Sequence, residues 1–480
     1  MDTLLGRQRT RLLGFGLSLV ALCLATGEAI ARYPPTYILA ATAVGAGVAV
    51  AWWNRGVFSG ILVLLLLQGV PVVNTQLGQS SAHGANALND AIFVALALFL
   101  AACAFDSPRN SAQTRLAVLA TIWGSCYLAW WSIKVAAGSP GIPLIPAVKY
   151  GREFMGVSIF LPIALLGLRR RTHLVGFAGT LAVGAALFSL GQIITQVAHK
   201  QLAWLIHVEK VSEFEGVTRI YAPMNDLLIA AFPMAFAAMM LAPRPWRRPA
   251  MLVTVLTGLA NALSFTRAVY VSELLALFLI SLVWARGLGW RPRRIRHLRR
   301  TLALGVSASV FAIAIAGGSP ATSSTASSPL QAVVSRAQLG VNNIEHQTGT
   351  TGYRLHKAHL ELEVLGDNWV AGLGFLNPSY HYVPSLREGS IRDDDLGSLN
   401  IMMTMGLIGL LLAYMPPIGG LVFLLRRRRS FVQYGGAMYL SAALVGSVTL
   451  ATISSPSGLL VLGSMLAFCV NWTVLDAAAT

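Results

Sequence analysis

The stretch Arg392–Leu411, RDDDLGSLNIMMTMGLIGLL, decides how the rest of the chain is read. A charged turn, Arg392-Asp393-Asp394-Asp395, passes within two residues into an apolar run. A long run free of charge is what a membrane helix needs, because lipid cannot solvate charged side chains. The polar segment ahead of it, about 318–396, is therefore expected to dock on a span rather than on a water-soluble core. It begins with a Ser/Thr/Pro tether, SPATSSTASSP, a composition that favours a flexible link.

Working outward, the same character fills the chain. Its 480 residues are 55% hydrophobic and only 11% charged, against ~25% charged in ordinary globular proteins. The mean hydropathy is +0.64. A soluble chain of this length could not hide so much apolar surface. About 14 apolar spans can be read, at roughly 12–31, 35–53, 57–75, 87–105, 114–134, 154–168, 173–195, 226–242, 250–265, 267–285, 301–317, 397–425, 433–452 and 457–475. Merging or re-entrance of the short ones would leave 12. The short alternating segments of a β-barrel are missing. The expected fold is thus all-α: a polytopic membrane protein with about 12–14 transmembrane helices and one large periplasmic loop containing short helices. Three regions follow: a helical region 1–317 with an outer-face loop at 196–225, the loop 318–396, and C-terminal helices over 397–480.

Orientation comes from the basic residues. Most of the 36 Lys and Arg residues fall in one alternate set of loops. These loops hold Arg7, Arg55, Arg109, Arg169–Arg171, Arg244, Arg286–Arg300 and Arg426–Arg429, with their basic neighbours. The positive-inside rule puts them, and both termini, in the cytoplasm. The net charge of +17 does not indicate nucleic acid, because spans split the basic runs so that they form no continuous face. The four cysteines, Cys23, Cys103, Cys126 and Cys469, all lie in apolar spans without metal-site or disulfide spacing.

Cations on the opposite side run against this trend, so each is informative. Arg219 lies in TRIYAPMNDLL, Arg267 in LSFTRAVYVSELL and Arg354 in TGYRLHKAHLELEVLGDNW. Guanidinium groups at the wet ends of spans can fork onto phosphate oxygens while staying charged at any working pH. They can equally mark helix ends or snorkel. Arg152, with Lys149 and Tyr150, could add a further wall. Asn225 and Asp226 could orient Arg219. Glu273 lies within a span, where a carboxylate is costly and usually paired; it could hold a basic group or form a structural ion pair. The helical stretch around Tyr353–Leu365 could face the membrane body with Leu355, Leu362 and Leu365. His356 and His359, three apart, share a helix face but lack a third ligand of convincing spacing. No metal or other cofactor is expected. For proton transfer the candidates are Asp395 and, as a substitute base, His381 in NPSYHYVPS. The plainer role for Asp393–Asp395 is an acidic turn capping the next helix.

These pieces together resemble the superfamily of O-antigen ligases and Wzy-type polysaccharide polymerases, bacterial membrane glycosyltransferases. Arg219 followed by Pro223, Asn225 and an apolar helix is similar to the family's R…NPN-type segment. Ser264-Phe265-Thr266-Arg267 is similar to its SRG-type helix start. Arg354, Trp369, Gly372-Leu373-Gly374-Phe375, and Asp395 eleven residues before Gly406-Leu407-Ile408-Gly409 resemble its periplasmic loop and following helix. The resemblance spans roughly residues 200–450. It implies transfer of a glycan from undecaprenyl diphosphate to a sugar hydroxyl, with Arg219, Arg267 and Arg354 on the carrier diphosphate and no metal. Family ligases carry His, in an HN-type motif, where this chain has Asp395. That departure favours a polymerase, whose acceptor is a lipid-linked glycan, over a ligase that delivers O-antigen to lipid A core during lipopolysaccharide biosynthesis. The expected location is the bacterial inner membrane, multi-pass, with the site facing the periplasm. The rival from another class, a transporter of lipid-linked oligosaccharide, would spread charge through midplane spans; a non-catalytic scaffold would tolerate loss of the three arginines.

Overall fold

Helices dominate because a helix satisfies its own backbone hydrogen bonds turn by turn, as a chain surrounded by lipid must. The computed structural model describes residues 54–68, 82–105, 111–137, 148, 158–198, 210–214, 217–221, 224–263, 269, 273–274, 278, 349–375, 397–426, 430–447, 453 and 455–479. In chain order the helices are α1 (Arg55–Gln68), α2 (Ala82–Phe105), α3 (Ser111–Ala137), α4 (Ser158–Gly167) and α5 (Arg171–Ala198), followed by α6 (Asn225–Leu241) and α7 (Arg244–Leu263). Then come α8 (Gly349–Leu365), α9 (Gly397–Arg426), α10 (Phe431–Gly446) and α11 (Pro456–Ala479). Four of them, α3, α5, α9 and α11, are long and apolar enough to cross a membrane.

Burial sorts these helices. The most apolar window of α11 is 94% buried, against 28% for α3 and 22% for α9. So α11 is an inner helix, and α3 and α9 flank it. The outward residues of α9, namely Leu411, Met415, Ile418, Val422 and Leu425, are all exposed. They recur every three or four positions, as does the exposed set Val183, Leu187, Leu190 and Ile194 on α5. Stripes at this spacing lie along one helix face. Water would leave such contiguous apolar surface uncovered; these faces suit a lipid bilayer.

Polar side chains stitch the helix ends. Asn471 of α11, 1% exposed, donates to the carbonyls of Leu165 and Leu168 at 2.9 and 3.1 Å. It thereby satisfies the free C-terminal carbonyls of α4. Ser430 and Gln433 form a reciprocal capping box that starts α10. Asn54 caps α1 through Gly56 N and Val57 N and reaches Thr172 O of α5. Replacing Asn471 by Ala would strand two buried carbonyls at once. A loss of about 2–3 kcal/mol is expected, measured by thermal unfolding in detergent micelles. A loss within error would mean that those carbonyls find other partners.

The spans read at 12–31, 35–53 and 301–317, and nearly all of that at 267–285, lie outside the described residues; the other ten coincide with described helices over most of their length, with three differences. First, Arg244, Arg247 and Arg248 are not in a loop; they form the first turns of α7. Arg247 Nε donates to Ala242 O at 2.7 Å and so caps the C-terminus of α6. Second, the outer-face segment contains an antiparallel pair of strands, β1 (Lys210–Phe214) and β2 (Val217–Tyr221), with Ser212 opposite Arg219. Among the described residues the fold is therefore helical with one small hairpin. Third, 397–425 is not a single rod. Gly406 has φ 69° and ψ −170° inside α9. Ser398 and Tyr414 are 16 residues apart, yet their hydroxyls lie 2.5 Å from each other. A straight helix would separate them by about 24 Å. The chain therefore doubles back at Gly406, from a short arm 397–405 into a long arm 407–426. At ~30 Å, the long arm alone matches the hydrocarbon thickness.

Candidate functional site

The two ends of the bundle differ chemically. At one end lie the start of α5 with Arg170 and Arg171, the end of α9 with Arg426, and the end of α11. There Arg171 pairs with Asp476 at 3.6 Å and stacks on Trp472. The opposite end gathers the C-termini of α3 and α10, the N-termini of α6 and α11, the bend of α9, and the polar helix α8. The candidate site is built at this second end.

Its centre is the bend. The segment Gly366–Phe375, which follows α8, lies against the short arm of α9. Leu373 N donates to Met403 O at 2.7 Å, Gly374 N to Thr404 O at 2.9 Å, and Ile408 N to Val370 O at 3.3 Å. These bonds replace those that the helix loses where it breaks. Gly372 and Gly406 meet backbone to backbone: a Cβ on Gly372 would run into Gly406 N, and one on Gly406 into Val370 O and Ala371 C. Both have φ near +70°, where a side chain is strained. Leu365 of α8 and Met403 close the contact in a small cluster with Val364, Leu373, Leu399 and Met402.

Helix α3 clamps the bend from the other side. Trp123 Nε1 donates to Leu412 O and Trp130 Nε1 to Met405 O, both at 2.8 Å. One turn further on, Lys134 Nζ donates to Gly372 O at 2.9 Å and lies 5.8 Å from the centre of the Trp130 ring. Lys134 is only 8% exposed. Among the described residues no carboxylate pairs with it. A buried ammonium without a counter-ion costs several kcal/mol, more than one charge-assisted hydrogen bond returns.

A chain of hydroxyls joins this region to α10. Ser398 Oγ donates to Ser447 O at 2.8 Å, and Tyr414 OH bridges Ser398 Oγ and Ser447 Oγ at 2.5 Å each. The helix start that follows Asp395 is therefore tied to the C-terminus of α10. Nine residues past Ser447 begins α11. Its first turn holds α6: Ser457 Oγ donates to Asp226 Oδ2 at 2.6 Å, with Ser455 Oγ at 3.5 Å.

The sequence-derived candidates distribute as follows. Arg354 is half-buried on α8, whose C-terminal end packs on the bend, while His356 and His359 on the same helix are exposed. Of the three leucines expected to face inward, Leu365 is buried but Leu362 is 48% exposed; the Leu355 side chain lies outside the described residues. Asn225 and Asp226 open α6 directly after the hairpin. Asp226 accepts from Ser457 of α11 and from Ser455 just ahead of it, so it ties two helix starts together. The backbone of Arg219 is in β2; its side chain lies outside the described residues. Glu273 accepts from Asn261 Nδ2 at 2.7 Å, an amide partner where a basic one was expected. Asp395, His381, Arg267 and Arg152 lie outside the described residues. Sequence reading missed Lys134, although it meets the criterion that selected the arginines: a cation at the end of an apolar run on the side poor in cations. It also missed Glu361, 2% exposed on α8.

No family model matches the chain, and none of the curated proteins matches it.

Proposed function

We propose that the chain is a multi-pass inner-membrane glycosyltransferase that polymerises surface polysaccharide from units carried on undecaprenyl diphosphate. In this reading the arginine-poor end faces the periplasm, both termini are cytoplasmic, and 12–14 spans cross the bilayer. The observation that carries the reading is the chemical difference between the two ends of the bundle. One end is studded with arginine; the other gathers a bent helix, a docked polar loop with Arg354 behind it, and a desolvated lysine.

The step attributed to the site balances as follows. A sugar hydroxyl of the acceptor attacks the anomeric carbon of the donor glycan from the face opposite the diphosphate. The new C–O bond forms as the bond to the diphosphate oxygen breaks, which inverts the anomeric centre. The hydroxyl proton goes to the Asp395 carboxylate, or to His381 in the substitute reading. The departing diphosphate keeps the electron pair, and Arg219, Arg267 and Arg354 stabilise its charge. Asn225, Asp226, Glu273 and Arg152 support this arrangement. The protein needs no cofactor for the step. Its partners are the lipid-linked donor, a lipid-linked glycan acceptor and the bilayer.

Liposomes loaded with the protein and a native lipid-linked repeat unit test this. Wild type should give a ladder of products still attached to polyprenyl diphosphate. Arg267→Ala should lower the yield about 100-fold or more, the loss typical of one charge-stabilising donor. Glycan appearing only when lipid A core is supplied would reassign the chain as an O-antigen ligase. No product with authentic substrates would favour the transporter.

A further inference from the structure

We propose that Lys134 is a phosphate seat: its ammonium holds one phosphate of the carrier diphosphate beside the loop Gly366–Phe375, a proposal that rests on the glycan-transfer reading above. The geometry around the residue is closed on three sides. Gly372 O takes one of its three N–H groups at 2.9 Å. The Trp130 ring lies 5.8 Å away and is itself fixed by the 2.8 Å bond from its indole to Met405 O. The loop strand is bound to α9 through Leu373 and Gly374. None of these neighbours carries negative charge. Holding the loop in place requires only a donor, and a neutral glutamine would serve. The full charge, desolvated and without a carboxylate among the described residues, is left unexplained by that role. An anion arriving from the ligand explains it.

The chemistry favours phosphate. An ammonium binds phosphate oxygens as a compact point charge from any direction, whereas forked carboxylate recognition belongs to arginine. Lys134 lies one turn from the end of α3 (Ser111–Ala137). At that depth a lipid presents its headgroup rather than its tail. The helix that carries Arg354 leads straight into the loop that Lys134 holds, with Arg354 twelve residues ahead of it.

The test is binding of undecaprenyl diphosphate, without glycan, to the full chain in phosphatidylcholine nanodiscs. Lys134→Met should weaken binding about 10- to 100-fold, the change that one charge-assisted hydrogen bond supplies. Lys134→Arg should stay within a few-fold of wild type. Phosphatidylglycerol added in place of the carrier should not compete. Undiminished binding by a folded Lys134→Met overturns the proposal, and so does equal competition by phosphatidylglycerol, which would make the seat one for ordinary phospholipid. Should Lys134→Met fail to fold, wild type with 15N-labelled lysine side chains decides. One amine signal dephased by 31P of the carrier, persisting when Lys149, Lys200, Lys210 and Lys357 are each replaced by Arg, identifies Lys134; no dephasing rejects it. The two readings fail separately. Ladder formation with carrier binding indifferent to Lys134 removes the seat alone. Carrier binding that depends on Lys134, with no product, removes the polymerase reading alone.

Discussion

A Gly406→Ala variant is expected to lose about 2–6 kcal/mol of stability, or to fail to accumulate at all. Two costs add. The backbone at φ 69° and ψ −170° occupies a region that only glycine populates readily, which by itself costs about 1–3 kcal/mol for alanine. The new methyl would then meet Val370 O, Ala371 C and Gly372 N. These are backbone atoms, pinned by the bonds from Leu373 and Gly374 to α9, so they cannot turn aside as a flexible side chain would. Gly419, on the long arm of the same helix, is the control: a Cβ there meets nothing within 4 Å. Gly419→Ala should be neutral or stabilising by up to ~1 kcal/mol through helix propensity. Tryptophan fluorescence during thermal unfolding reads both variants. If the two behave alike, α9 does not depend on its bend.

The second large effect concerns rate. Asp395→Asn should lower polymer formation by about 100- to 10,000-fold, the usual contribution of a positioned base, while leaving carrier binding and thermal stability unchanged. This substitution separates the two roles of the acidic turn. Asparagine caps a helix start as well as aspartate does, so a purely structural Asp395 would tolerate it. Only proton acceptance is lost. His381→Ala is the companion measurement. A large rate loss there, with Asp395→Asn near wild type, would transfer the role of base to the histidine.

Hydropathy made most of the helices legible, because lipid-compatible runs have sharp edges. The run read as 226–242 is the helix Asn225–Leu241, and that read as 173–195 is Arg171–Ala198. The bend at Gly406 was not legible. Residues 396–411 carry no charge, so their hydropathy is the same whether the chain continues or reverses; the decision lies in one dihedral pair. The hairpin is written in KVSEFEGVTRIY, where β-branched and aromatic residues flank Glu215-Gly216, but a pair of five-residue strands between two apolar runs has the hydropathy of any polar loop. Lys134 was hidden for a different reason. It ends a span, where a lysine reads as an anchor in the headgroups, and only the fold reveals that Gly372 and Trp130 enclose it. The tie between Asp226 and Ser457 joins residues 231 positions apart, beyond any local pattern.

The bonds from Leu373 and Gly374 to Met403 and Thr404 have one more consequence, for how such a chain can diversify. They hold Gly374 beside Thr404, so the chain between them is closed into a ring by bonds that lie outside residues 376–396. Loop-closure entropy grows only logarithmically, and doubling the length of a flexible ring costs about 0.6 kcal/mol. Both candidate bases, His381 and Asp395, ride on this ring, while the frame that seats it is held by α3 and α9. Insertions and exchanges within residues 376–396 are therefore expected to leave the membrane bundle its stability.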